Sequence, residues 1–426
     1  MLRRRRVLGF ALAAAVAADA GVVLAAQDLC QGLVQDKAAH AMAGLPKPSL
    51  GQTVKDPQFG TTIRRISAVP VSEGENAVIK PMYATMPAWN ADESKLILWH
   101  RGVGHELYDG RTYKFIRKLP IAPTDVEQVL WDPTDPDVLY YPSNYNAVPD
   151  LMRYRVSKNA TDVVKNFQGA PTRCPVDWGK LLRLGNDPQY MSWGPAKIIG
   201  LNCGDTKFLY DIGAGRVLGV KNFTTKNAPI ATPTGQFAYL DGSVYDLQLN
   251  QVRSLTMYAD DAWQHASLGR SSTGDVLVHV SFDAPSAQQG AIVVHELGTG
   301  ARRVVVGPAT GWPYPPSGTH LSAVSHKAPG WVEASLTGDR AGRRALDQEI
   351  ILVNVDTNKV CRIAHHRSVG RDGPWGYWAE PHGVISPTGT RILFASDWGG
   401  GPSVDAYVVE LPSYGGSGPA DVSKPR

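Results

Sequence analysis

From Thr53 onward the chain alternates short apolar, β-prone runs with polar turns, and one ten-residue pattern keeps returning. It is a turn of Asp, Asn, Pro, Thr or Gly followed by an apolar strand. The copies are Trp89-Asn-Ala-Asp-Glu-Ser-Lys-Leu-Ile-Leu98, Trp131-Asp-Pro-Thr-Asp-Pro-Asp-Val-Leu-Tyr140, Ala231-Thr-Pro-Thr-Gly-Gln-Phe-Ala-Tyr-Leu240, Gly269-Arg-Ser-Ser-Thr-Gly-Asp-Val-Leu-Val278 and Ile385-Ser-Pro-Thr-Gly-Thr-Arg-Ile-Leu-Phe394. A looser copy runs from Ser325 to Ala334, and Tyr190-Met-Ser-Trp-Gly-Pro-Ala-Lys-Ile-Ile199 falls inside the one long gap between copies. Second hairpins follow several copies, as in Ser243–Leu249, Ala291–Leu297 and Glu349–Val355. No segment after the first 26 residues keeps a helical apolar period beyond roughly three turns.

Seven strand–turn–strand units about 40 to 60 residues apart predict an all-β fold, a seven-bladed β-propeller with four-stranded antiparallel blades. A β-sandwich is the competing arrangement, but sandwiches do not repeat one signature seven times. The division expected is a signal segment over 1–26, an irregular N-terminal clasp over 27–52, the propeller over 53–414 and a flexible tail over 415–426, where Gly415-Gly-Ser-Gly-Pro reads as linker.

The start of the chain has the parts of an export signal: Arg3 to Arg6, an apolar run from Val7 to Ala26, and small residues near Ala25. Arg4-Arg5-Arg6-Val7-Leu8 also fits a loose twin-arginine pattern, so either export route is open. An uncleaved anchor is the alternative, although Asp19 interrupts the run. A periplasmic or secreted protein with no stable membrane span after processing is the expectation. The net charge of +4 includes those four arginines. The remainder is close to neutral, and nothing in it asks for nucleic acid.

Four cysteines remain, Cys30, Cys174, Cys203 and Cys361, in a compartment where disulfides persist. Cys174 and Cys203 flank one module and are the first candidates for a bridge, the alternative being two buried thiols. There is no CxxC pair, and phosphate loops, GxSxG and HExxH are absent.

Residues just before the repeated turn of each blade gather around the central channel. His265, His320 and His382 fall there in three successive units, ahead of the copies at 269, 325 and 385. Neutral imidazole serves both as metal ligand and as near-neutral base, so the cluster suits a divalent-metal or a proton-transfer site. Glu380 lies two residues before His382 and can face the same side of an extended segment. Cys361, His365 and His366 add further candidates, with a Cys361–His365 spacing that permits shared zinc ligation. His100, Arg101 and His105 read as a surface hairpin. Trp312-Pro-Tyr-Pro-Pro and Trp375-Gly-Tyr-Trp offer flat rings that either stack on sugars or pack between blades.

The stretch Thr319-His-Leu-Ser, with Tyr377-Trp-Ala-Glu-Pro-His-Gly-Val-Ile-Ser-Pro-Thr-Gly after it, resembles the last two blades of oligogalacturonate lyases and the related propeller ulvan lyases. The resemblance implies cleavage of an acidic polysaccharide or oligosaccharide by β-elimination. It also implies a divalent metal, typically manganese, at the positions of His320 and His382, and a catalytic His265 with Arg253 as an approximate partner. Read from the residues, Glu380 or one of His365 and His366 completes that site, a carboxylate favouring manganese and recruitment of Cys361 favouring zinc. Glu380 and Tyr377 stand where that family has histidine and glutamine. The Ser-Pro-Thr-Gly copies also resemble Tol-type propellers, which are not lyases. A non-catalytic periplasmic or cell-surface propeller that binds a glycan or protein is the second functional reading.

Overall fold

The computed structural model describes residues 28–184, 191–194, 196–257, 265–282, 290–313 and 319–415. The expected signal segment and the tail beyond Gly415 lie outside the described residues. Seven antiparallel sheets are arranged as blades, six of them four-stranded with the strands in chain order. The first strands of the blades, nearest the channel, are Ile79–Lys80, Leu130–Trp131, Leu182–Arg183, Ile230–Ala231, Ala266–Arg270, His320–Ser322 and Val384–Ile385. The fold is the expected propeller.

The repeated turn is the hairpin from the first to the second strand of a blade. In blade 7 it closes with the Gly389 N–H donating to the Ser386 carbonyl at 2.8 Å. Gly389 has φ +75°, a left-handed value that glycine adopts without steric cost, which is why the pattern ends in Thr-Gly. The second strands lie between two neighbouring blades. Asp275–Ser281 and Trp331–Leu336 are accordingly buried at every position, giving apolar-rich runs instead of a clean alternation.

Blade 7 is completed from the other end of the chain. Its order is Thr53–Lys55, Thr62–Arg65, Asp405–Glu410, Arg391–Ser396, Val384–Ile385, with Thr62 opposite Glu410 and Arg65 opposite Tyr407. This pairing closes the ring and leaves no sheet edge open between the first and last blades. Arg391 strengthens the seam: only 1% exposed, its guanidinium bonds to Glu93 of blade 1 and lies 5.0 Å from the Trp89 ring.

Residues 28–52 run along blades 6 and 7. Val34 bridges to Arg362, the Met42 N–H donates to the Gly342 carbonyl, and Lys47 pairs with Asp405 at 2.6 Å. Two disulfides form, Cys174–Cys203 and Cys30–Cys361. The second removes Cys361 from any zinc site, because its sulfur is already bonded. Among the described residues no helix is long and apolar enough to cross a membrane.

Candidate active site at the channel mouth

The first strands of a propeller's blades run in the same sense along the channel, so the segments leading into them share one mouth. His265 immediately precedes Ala266–Arg270, His320 opens His320–Ser322, and His382 comes just before Val384–Ile385. His265 and His382 adopt φ of +45° and +42°, sparsely populated for a side-chain-bearing residue. Such backbone persists where the surrounding structure holds it, typically at functional sites.

The three rings form a continuous row. Ring centroids of His265 and His320 are 4.3 Å apart, as are those of His320 and His382. Tyr83 packs against the second and third at 5.4 and 5.1 Å, and Tyr377 against the third at 4.8 Å. His265 Nδ1 lies 2.5 Å from the Thr319 carbonyl oxygen. That carbonyl can only accept, so Nδ1 carries the proton and Nε2 is the basic nitrogen of the neutral ring. Burial holds His265 below the usual imidazole pKa, and it holds His320 and His382 well below. All three are neutral near pH 7.

Glu380 reaches into the same place. Its Oε2 is 3.7 Å from Nε2 of both His320 and His382, and its Oε1 accepts from Arg371 Nε at 3.2 Å. Burial raises the carboxyl's pKa, opposed by the charges of Arg371 and Lys80. His320, Glu380 and His382 each offer one ligand atom, all within 4.8 Å of one another. His320 Nδ1 and both His382 nitrogens are buried with no hydrogen-bond partner at bonding distance. Two neutral imidazoles and a carboxylate, buried and short of partners, fit a divalent transition metal.

Further groups surround this row. Lys80, on the first strand of blade 1, is 1% exposed and donates from Nζ to the Met82 carbonyl at 3.3 Å. Burial pulls its pKa down to about 8 against the pull of Glu127 and Glu380. Glu127 accepts from the Tyr377 hydroxyl at 3.0 Å. Glu333, on the second strand of blade 6, is buried, and burial pushes its pKa up to about 8. It lies under Gly383, where a Cβ would stand 2.1 Å from Glu333 Oε1, so residue 383 must be glycine for His382 to hold its place. Lys80, Glu127, Arg371, Tyr83 and Glu333 carried no sequence signal, since each is a lone residue outside any motif.

Several expected members stand elsewhere. Arg253 lies on Gln251–Ser254, the outermost strand of blade 4, with its side chain against Gly300 of blade 5. It faces the rim and does not partner His265. His365 ends Lys359–His365, the outermost strand of blade 6, and packs at a tilt against Phe59 at 4.9 Å with Nδ1 3.6 Å from Asp56. His366 Nδ1 accepts from the Ser368 N–H at 3.0 Å and Nε2 donates to the Leu336 carbonyl at 3.1 Å. Both its nitrogens are committed, and the outer strand keeps both residues away from the channel group. His100 and His105 are buried, not on a surface hairpin: His100 sits between Glu106 at 2.9 Å and Glu73 at 2.8 Å. Of the candidate platforms, Trp312 is buried in the blade core, whereas Trp378 is partly open and stacks on Trp99 at 5.0 Å.

No protein-family profile matches the chain, and no curated protein matches it by sequence. Among solved structures, oligogalacturonate lyase from Vibrio parahaemolyticus superposes with a TM-score of 0.59 at 13% identity, over 85% of this chain and 96% of that one. An oligogalacturonate lyase in complex with manganese gives 0.54 at 16% identity, over 85% and 96%. At these identities the likeness is one of fold.

Proposed function

We propose that this chain is an exported lyase that cleaves uronic-acid glycans by β-elimination, with a divalent cation held by His320, His382 and Glu380. The observation that carries the reading is the convergence of these three side chains with His265 at one channel mouth. The structural neighbours add support: both are oligogalacturonate lyases, and one holds manganese. The basic and apolar start of the chain supports export, as do two disulfides.

Elimination needs the C5 proton of a uronate removed while its carboxylate charge is offset, so that the carbanion-like state is less costly. His265 suits the base: half-buried, neutral, and fixed by Thr319 in the tautomer whose Nε2 accepts the proton. As the C5–H bond breaks, the C4–C5 double bond forms and the C4–O4 bond opens, O4 leaving with a proton drawn from water. A bound cation would act as Lewis acid toward the uronate carboxylate. Arg371, whose side chain is 78% exposed, and the buried Lys80 add positive charge that draws an acidic sugar to the mouth.

The test is incubation with pectate, ulvan and glucuronan fragments while the ultraviolet absorbance of the unsaturated product is followed. Product from at least one supports the reading. No product from any of them overturns it and leaves a binding propeller.

A further inference from the structure

Blade 3 carries a polar pocket on the same mouth, outside the histidine row. It encloses about 320 Å³ and is lined by Lys180, Arg183, Asn202, Asp205, Thr225 and Lys226, among others. That volume is at the small end of ligand sites, enough for a compact polar group such as a sugar ring. The pocket forms where the chain enters the first strands of blades 3 and 4, Leu182–Arg183 and Ile230–Ala231, the same position the histidines occupy in blades 5 to 7.

The pocket is built rather than incidental. One residue before Gly179, which lines the pocket, Trp178 is 68% exposed, a high value for so large an apolar ring. Its short turn is capped by Asp177, which accepts from the Gly179 N–H at 2.8 Å, and the segment is tied to blade 3 by the Cys174–Cys203 disulfide. The Lys180 stem lies 3.1 Å from where a Cβ would stand on Gly204, and Asn202 Nδ2 donates to the Lys226 carbonyl at 2.8 Å. An open aromatic face beside three cations and one carboxylate is the chemistry that holds an acidic sugar: stacking on the ring, charge on the carboxylate.

A path links the two places. Arg183 Nη1 lies 3.5 Å from Asp125 Oδ2, and two residues along the same loop Glu127 meets Tyr377, whose ring packs on His382. The loop into blade 2 thus lies between the histidine row and the blade 3 pocket.

We propose that the blade 3 pocket is a distal subsite for a further uronate ring of a polymeric chain, so that the protein engages long glycans in preference to the shortest oligomers. This rests on the lyase reading for its ligand class but not for its readout. The experiment is calorimetric binding of polygalacturonate, trigalacturonate and methyl-esterified polygalacturonate in a His265→Ala background, where turnover does not consume the probe. Trp178→Ala and the pair Lys180→Ala with Lys226→Ala alter exposed side chains only. The expected result is tight polymer binding that both variants weaken about five- to tenfold. Trimer affinity should not change, and the esterified polymer should bind poorly to every form. Unchanged polymer affinity in both variants, equal losses for polymer and trimer, or no polymer binding by the parent overturns the subsite. Absence of lyase product alongside length-dependent binding would refute only the elimination reading.

Discussion

His320 and His382 meet with their ring centroids 4.3 Å apart although a whole blade of sequence lies between them. The contact follows from where each residue sits, at the entrance to the first strand of its blade, and from the ring that makes successive entrances neighbours. Glu380 lies against both, and His265 extends the row on the other side.

Replacing His320 or His382 with alanine removes one of three donor atoms. Manganese affinity, measured by titration of chelator-treated protein, should fall by more than the roughly 10- to 100-fold that loss of an outer-shell partner costs. Glu380→Gln keeps the shape and removes the charge, and should also weaken manganese. Alanine variants that bind the ion as the parent does would show that it sits elsewhere.

His265→Ala should lower kcat by about 10²- to 10⁴-fold, the usual worth of a positioned base, with the melting temperature and metal content close to the parent's. The assay is the ultraviolet change of the unsaturated product. A loss confined to KM would mean that the ring binds substrate and does not take the proton.

These four side chains were within reach of the sequence because the repeated turn marks the same place in every blade, so a histidine a few residues before the turn faces the channel. Residues close in sequence misled for the same reason. Arg253 is only twelve positions from His265, and His365 and His366 precede His382 by less than twenty, yet a propeller sends the chain from rim to channel over that interval. The blade 7 pairing of Thr62–Arg65 with Asp405–Glu410 had no local mark, since each strand's partner is at the far end of the chain. Lys80 and Glu127 became a site only through burial, which ring closure decides.

Asp56 ties the strap between the first two strands to blade 6. Its Oδ2 accepts from the His365 N–H at 3.0 Å and from Arg367 Nη1 at 2.9 Å. Burial alone would raise its pKa, but the hydrogen bond from His365 and the charge of Arg367 outweigh it and hold the carboxyl well below 3.8. A depressed carboxyl stabilises the fold above its ordinary value and loses that contribution as pH falls below about 4. Asp56→Asn should therefore be less stable at neutral pH by roughly 3–5 kcal/mol, and its stability should fall less steeply below pH 4 than the parent's. Denaturant unfolding across that range checks both signs; parallel curves would contradict them.

Cys30→Ser should cost roughly 2–5 kcal/mol and loosen residues 28–52 from blade 6, read as faster proteolysis of that segment. Cys174→Ser should leave the histidine row and manganese binding intact while freeing the Trp178 turn. A loss of manganese binding in Cys174→Ser would contradict the separation of the two sites.

The most direct measurement is a crystal structure of His265→Ala with manganese and trigalacturonate, with anomalous scattering recorded for the metal. The account predicts one anomalous peak at the channel mouth, bonded to a nitrogen of His320, a nitrogen of His382 and an oxygen of Glu380, with a uronate carboxylate beside it and that ring's C5 facing position 265. No peak at those three residues, or a uronate bound with C5 turned away from position 265, would contradict it.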